Sequence, residues 1–144
     1  MRTEFNRRNK LQGEEAELAF MLKAVRQEFR VARPHGDSAP YDFILEWQSR
    51  LHRIQFKSTR CFDLKRGYQV LSVWGFHRSC HYTEEHIDFF VVWIEPEDHW
   101  YILPVAATKH RYMLAFPIGL PGRKNRWSQY LEAWHLLKHA AQDA

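Results

Sequence analysis

The segment Ile87–Ile94 constrains the fold of this chain more than any other part of the sequence. It reads Ile-Asp-Phe-Phe-Val-Val-Trp-Ile, so Asp88 is its only charged residue. A near-continuous apolar run of this length is typical of a strand that is buried on both faces and needs a layer of structure on each side. The run is far shorter than the ~18 apolar residues of a membrane span. We therefore expect a layered soluble domain around this strand.

Apolar spacing and turn residues divide the rest of the chain into a helix, several strands and a last helix. Leu11–Phe29 carries a broad helical apolar face, and Ser128 can cap a last helix that runs to about Ala141. Strand-like runs and one hairpin turn lie between them: Tyr41–Trp47, the turn at Gln48–Arg50, His52–Ser58, Tyr68–Phe76, His99–Leu103 and Tyr112–Phe116. This order predicts an α/β fold with one mixed central sheet flanked by helices.

The length and composition agree with a single domain. The chain has 144 residues, of which 45% are hydrophobic, and no repeat or linker divides it. We expect one domain over residues 1–144, with residues 1–10 as a basic N-terminal arm. Two cysteines are too few for a disulfide framework, and the first 15 residues contain no apolar signal segment. These features favour a cytoplasmic protein that is not attached to a membrane.

The positive charge is concentrated in separate stretches. The formal net charge is +4, yet no acidic residue occurs from His99 to Leu131, and six basic residues face one acid between Arg50 and Arg66. Local basic stretches favour a polyanionic partner such as nucleic acid, although charge alone fits an ordinary basic surface equally well. The candidate phosphate contacts in and beside these stretches are Arg53, Ser58, Arg60, Arg123, Lys124 and Arg126.

Four polar residues in the first half of the chain form a candidate catalytic group. Asp42 lies near the start of one predicted strand, and Gln55 and Lys57 lie two apart on the next, which places them on one face. Glu17 on the preceding helix could reach the same point. Carboxylate and amide oxygens, with the backbone carbonyl of Phe56, are the ligands that a hard cation such as Mg²⁺ prefers, and a lysine beside them can offset charge on a phosphate.

Each of these residues also has a plainer interpretation. Asp42 could cap the turn that precedes its strand, and Gln55 and Lys57 could form the solvent face of an edge strand. Glu14 lies on nearly the same helix face as Glu17 and could replace or support it. The sequence pattern alone does not decide between these alternatives.

A zinc site is a weaker alternative. Its candidate ligands are Cys61, His77, Cys80 and His81, because cysteine and histidine are the usual ligands of Zn²⁺. The spacing lacks a second Cys-x-x-Cys pair, so free cysteines and surface histidines are the default interpretation.

The ordered motifs resemble the PD-(D/E)XK nuclease superfamily, and within it the group I intron-encoded homing endonucleases of that type and their uncharacterised bacterial relatives. The resemblance lies in a helical Gly-Glu-x-x-Glu, a Gly-Asp-x-x-x-Tyr-Asp loop, an Arg-x-Gln-x-Lys-Ser strand and an Asp-Phe-Phe strand followed by Trp-Tyr-Ile-x-Pro. The matching segments are Gly13–Glu17, Gly36–Asp42, Arg53–Ser58, Asp88–Phe90 and Trp100–Pro104.

This resemblance implies a restriction-endonuclease-like core and a catalytic group of Glu17, Asp42, Gln55 and Lys57. It implies Mg²⁺-dependent cleavage of double-stranded DNA, with Mn²⁺ as a substitute, by a homodimer or homotetramer. The superfamily usually has an acid at the position of Gln55, whereas the homing subfamily also has glutamine there. This neutral residue should weaken metal binding. The alternatives are a DNA-binding protein that keeps the fold with little activity, an RNA nuclease or partner-dependent subunit, and a small α/β interaction domain.

Overall fold

Two β-sheets form the framework of the fold in the computed structural model, which describes residues 1–74 and 80–139. Its strands are β1 (Arg30–Ala32), β2 (Phe43–Trp47), β3 (Arg50–Thr59), β4 (Phe62–Asp63), β5 (Gly67–Leu71), β6 (Phe89–Ile94), β7 (His99–Pro104) and β8 (Met113–Phe116). The larger sheet has the order β1-β2-β3-β6-β7, and the smaller has β4-β5-β8. In the larger sheet only β3 and β6 are parallel. The predicted mixed central sheet is confirmed, and the smaller sheet, in which β5 pairs with β8, was not predicted.

Strand β6 lies at the centre of the layers, as its apolar run predicts. Val91 belongs to the core that is covered by the N-terminal helix, whereas Phe90 and Val92 belong to the core beneath the smaller sheet. All three side chains are fully buried. Alternate residues of one strand therefore supply two cores, which explains why both faces had to be apolar.

The N-terminal helix, α1 (Arg2–Arg26), covers one face of the larger sheet. Ala16, Phe20 and Ala24 form its buried stripe, at the four-residue spacing that places side chains on one helix face. The Phe20 ring centroid lies 4.6 Å from that of Phe43 and 5.0 Å from that of Phe56. The helix begins at Arg2, so the basic residues that were expected on an arm lie on the first turns of α1, where residues 1–15 are exposed.

The β2–β3 hairpin fixes the register around the candidate catalytic group. Gln48 and Ser49 form its two-residue turn with φ values of 46° and 68°, the left-handed backbone that matches the twist of paired strands. Phe43 pairs with Ile54, so the hairpin brings the residue before β2 against the middle of β3.

The C-terminal segment differs from the predicted helix over Ser128–Ala141, and that prediction was wrong. A 3₁₀ turn at Ser128–Tyr130 is followed by Leu131, which bridges to β7, and helix α2 covers only His135–Lys138. Trp127 packs in the core beneath the smaller sheet, but Trp134 packs in the core beneath α1. Residues seven apart lie on one face of a helix, so a continuous helix cannot deliver these two rings to opposite faces of the sheet.

The predicted strand Tyr68–Phe76 is shorter in the structure. It ends at Leu71, and its last two residues lie outside the described ranges. Strand β4 was not predicted, because two residues are too few for an alternating pattern. No helix within residues 1–74 and 80–139 is long and apolar enough to cross a membrane.

Candidate active site

Asp42 is held at the edge of β3, just before β2 begins. Its backbone N–H donates to the carbonyl of Ile54 at 2.8 Å, and its carboxylate Oδ2 accepts the Phe56 N–H at 3.0 Å. The aspartate side chain thus takes the place of a main-chain partner that β2 would otherwise supply. These two bonds tie Asp42 to Ile54 and Phe56 of β3.

The surroundings of Asp42 oppose its negative charge. Burial is the largest effect and raises the pKa of the Asp42 carboxyl above its usual value. The nearby charge of Glu17 also raises this pKa, whereas the Phe56 N–H, Lys57 and Arg33 lower it. A bound cation would stabilise the ionised form of a buried carboxylate that lies near a second carboxylate.

Gln55 and Lys57 lie on the face of β3 opposite to Phe56. The Phe56 ring packs on α1, whereas the Lys57 Nζ lies 5.9 Å from the ring centroid of Tyr82. Burial lowers the pKa of Lys57, and the charge of Asp42 acts in the opposite direction. The Gln55 side chain is buried and lines a cavity together with Asp42. The alternation along β3 therefore separates a structural face from a polar one.

The backbone of Phe56 adds a further oxygen to this group. The Ile54 carbonyl and the Phe56 N–H both point to the edge of β3 where Asp42 lies. The N–H and C=O of one strand residue point to the same edge. The Phe56 carbonyl therefore faces Asp42 as well.

Glu17 approaches from α1 and is already paired. Its Oε2 accepts from the Arg33 Nη2 at 2.9 Å, and the side chain is partly buried. Glu14, one turn earlier on the helix, is exposed. Glu17 is thus the helical carboxylate whose charge reaches Asp42.

A cavity of about 470 Å³ opens beside the carboxylate of Asp42. Its lining residues are Asp37, Ser38, Ala39, Pro40, Asp42, Gln55, Trp74, Tyr82 and His86. Burial, with the charge of Asp42 as a smaller cause, raises the pKa of Tyr82 to about 12, so its phenol stays protonated. The aromatic wall and the Arg33 partner of Glu17 were missed by sequence reasoning, because no local pattern links them to Asp42.

A family model for the PD-(D/E)XK endonucleases matches residues 7–137, which is nearly the whole chain. The chain belongs to the PD-(D/E)XK endonuclease family. Its fold is also similar to the solved structure of a bacterial homing endonuclease, I-Ssp6803I, with a TM-score of 0.75 and 28% sequence identity. That similarity covers 89% of this chain and 91% of the other. No curated protein is a significant match. The resemblance seen in the motifs is confirmed.

In this PD-(D/E)XK endonuclease, the candidate zinc ligands do not form a cluster that the structure describes. Cys61 is exposed and Cys80 is partly buried, both as free thiols, and His77 lies outside the described residues. Over residues 1–74 and 80–139, no group of three or more His, Cys, Asp or Glu could hold a metal ion. The candidate residues around Asp42 offer two carboxylates, Asp42 and Glu17, with the Gln55 amide and the Phe56 carbonyl.

The candidate phosphate contacts have different surroundings. The Arg53 guanidinium forms an ion pair with Asp88 at 3.1 Å and donates to the carbonyls of Glu84 and Glu85 at 2.6 and 2.8 Å. A DNA phosphate would have to compete with these partners. The remaining candidates face solvent wholly or in part: Ser58, Arg60 (paired with Glu95), Arg123, Lys124 and Arg126.

Proposed function

We propose that this protein is a metal-dependent endonuclease that hydrolyses phosphodiester bonds of double-stranded DNA. The observation that carries the proposal is the meeting of Asp42, Gln55 and Lys57 at one edge of β3, where the Asp42 carboxylate is locked to the Phe56 N–H at 3.0 Å. Membership of the PD-(D/E)XK endonuclease family supports the nuclease activity. Its similarity to a homing endonuclease supports DNA as the substrate.

The oxygen atoms of this group fit a hard divalent cation. Asp42, the side-chain oxygen of Gln55 and the Phe56 carbonyl would hold Mg²⁺, with Glu17 directly or through water, and Mn²⁺ would substitute. The buried negative charge at Asp42 is the feature of the structure that favours this ion. When bound, such an ion lowers the pKa of a coordinated water and polarises the phosphate. The neutral Gln55 leaves the site with one negative charge fewer than an acid would give.

Lys57 supplies the positive charge beside the reacting phosphate. Its ammonium is largely removed from water, so it acts more strongly on a nearby anion than an exposed lysine would. The Tyr82 ring, whose centroid lies 5.9 Å from the Nζ, also stabilises this cation. Lys57 would hold the attacking water in place and offset the charge that develops on the phosphate.

The basic stretches would place the duplex over this edge. We assign phosphate contacts to Ser58, Arg60, Arg123, Lys124 and Arg126, whereas Arg53 principally holds the 84–88 segment through its bonds to Asp88 and two carbonyls. Cleavage of both strands needs two active centres, so we propose a homodimer or homotetramer.

Incubation of the purified protein with supercoiled plasmid and Mg²⁺ or Mn²⁺ tests the proposal. We expect cleavage that stops when the metal is removed with a chelator and resumes when it is restored. An assembly with two centres is expected to give linear plasmid with little nicked intermediate. DNA binding without cleavage under either ion would support the inactive DNA-binding alternative, and cleavage of RNA alone would support the RNA nuclease.

As the pH falls, metal binding is expected to begin to weaken at a higher pH than it would at a site with an ordinary aspartate. The reason is that burial raises the pKa of Asp42, so a proton competes with the metal at pH values above the usual aspartate pKa of 3.8. Above that range the carboxylate is ionised and binding is constant. Calorimetric titration with Mn²⁺ as a function of pH measures this, and Glu28→Gln, at an exposed acid outside the site, is the matched control. An affinity independent of pH down to 3.8 would contradict it.

A further inference from the structure

The turn between β4 and β5 projects an apolar side chain within a basic setting. Leu64 is 85% exposed, the highest value for any leucine in the described part of the chain, and Lys65 and Arg66 follow it directly. Over residues 1–74 and 80–139, neither cation forms an ion pair. Single exposed leucines are common on protein surfaces, but a leucine that projects beside two exposed cations can contact a polyanion that the cations attract.

This turn is rigid. The Asp63 carboxylate accepts the N–H groups of Lys65 and Arg66, both at 2.7 Å, and also the Gln69 side-chain amide at 2.9 Å. Gly67 closes the turn with φ +81°, and a Cβ there would lie 2.2 Å from the Phe116 carbonyl oxygen. Leu64 is thus presented in a preorganised position, which reduces the entropy lost on binding.

The β4–β5 hairpin is anchored to the rest of the protein at its base. The Phe62 and Tyr68 rings meet edge to face at 5.1 Å, and the Tyr68 hydroxyl donates to Glu97 at 3.0 Å. Along the chain, the β4–β5 hairpin lies between Gln55 and Trp74, which both line the cavity at Asp42. Leu64 follows Lys57 by seven residues, so it lies at most about 25 Å from it. This is within one helical turn of a duplex, about 34 Å.

We infer that the β4–β5 turn enters a groove of the DNA, with Leu64 against the bases and Lys65 and Arg66 on the flanking phosphates. Proteins that bind the minor groove frequently insert apolar side chains between base steps and thereby bend the duplex. A projecting turn would also give a short chain some sequence discrimination without a separate recognition domain. The inference rests on the proposed DNA substrate.

Fluorescence anisotropy with a mixed-sequence duplex, in chelator so that no strand is cut, tests the inference. We expect Leu64→Ala to bind about tenfold more weakly than wild type, because a buried leucine contact is lost. The Lys65→Ala/Arg66→Ala double variant is expected to weaken binding and to make the salt slope less negative by about 2. The matched controls are Leu51→Ala, at a leucine 63% exposed on the β2–β3 hairpin, and Arg26→Ala/Arg30→Ala, at two exposed cations outside the basic stretches.

A photocross-linking side chain at position 64 gives an independent readout. We expect it to link to DNA bases, and the same group at position 51 to link poorly. If wild type binds DNA but Leu64→Ala matches Leu51→Ala and position 64 does not cross-link, the inference is overturned and the proposed function stands. If wild type itself neither binds nor cuts DNA, the proposed function fails first.

Discussion

Asp42→Asn is expected to reduce the rate of DNA cleavage by about a thousandfold or more, the upper range for loss of one electrostatic element of an active site, while DNA binding is retained. The asparagine keeps the size of the side chain, and its oxygen can still accept the Phe56 N–H at the 3.0 Å position. The edge of β3 therefore keeps its geometry. The loss falls on the negative charge, which is the property that a divalent cation requires.

Single-turnover cleavage at saturating Mn²⁺, compared with binding under chelation, separates these two effects. Glu46→Gln is the matched control, because it also converts a carboxylate to an amide and lies on β2, four residues beyond Asp42. We expect it to cut as wild type does. Equal cleavage by Asp42→Asn and wild type would mean that the assignment of this carboxylate as a metal ligand is wrong.

Phe20→Ala is expected to lower the free energy of unfolding by about 3–5 kcal/mol, the range for removal of a fully buried phenylalanine. Phe20 has no exposed surface and contacts the rings of Phe43 and Phe56, which lie on the two strands of the β2–β3 hairpin. The cavity left behind would loosen α1 from those strands. It would therefore also disturb the approach of Glu17, which lies three residues earlier on the same helix.

Denaturant unfolding followed by tryptophan fluorescence measures this loss. Leu18→Ala is the control on the same helix, because Leu18 is exposed, and we expect a change within about 0.5 kcal/mol. If Phe20→Ala does not fold, Phe20→Leu keeps the test open with a smaller loss. A Phe20→Ala protein as stable as Leu18→Ala would show that α1 does not carry the core of this face.

The parts of the fold that sequence could predict are those decided within a short segment. The apolar run at β6, the return strand β7 and the β2–β3 hairpin each carry their own period and turn residues. The prediction of the last helix was wrong because Trp127 and Trp134 have helical spacing but pack in cores on opposite faces of the sheet. The smaller sheet was not predicted because β5 pairs with β8, which lies far along the chain, and β4 is too short to show a pattern.

The same distinction holds for the candidate site. Asp42, Gln55 and Lys57 lie within one hairpin, so alternation and order were enough to place them together. The pairing of Glu17 with Arg33 and the ring of Tyr82 behind Lys57 come from segments that meet only in the folded chain. Local chemistry could suggest a cation site, but the partners that set its charge balance needed the tertiary structure.

The parallel pairing of β3 with β6 also orders events during synthesis. Every residue of the proposed catalytic group is made by position 57, but β6 follows only at Phe89–Ile94. Until then the β6 edge of β3 has no partner, and the polar face with Gln55 and Lys57 has no layer above it. A growing chain on the ribosome would therefore carry every residue of the proposed catalytic group before the sheet around that group is complete. The proposed nuclease activity would then arise only after the second half of the protein has been made.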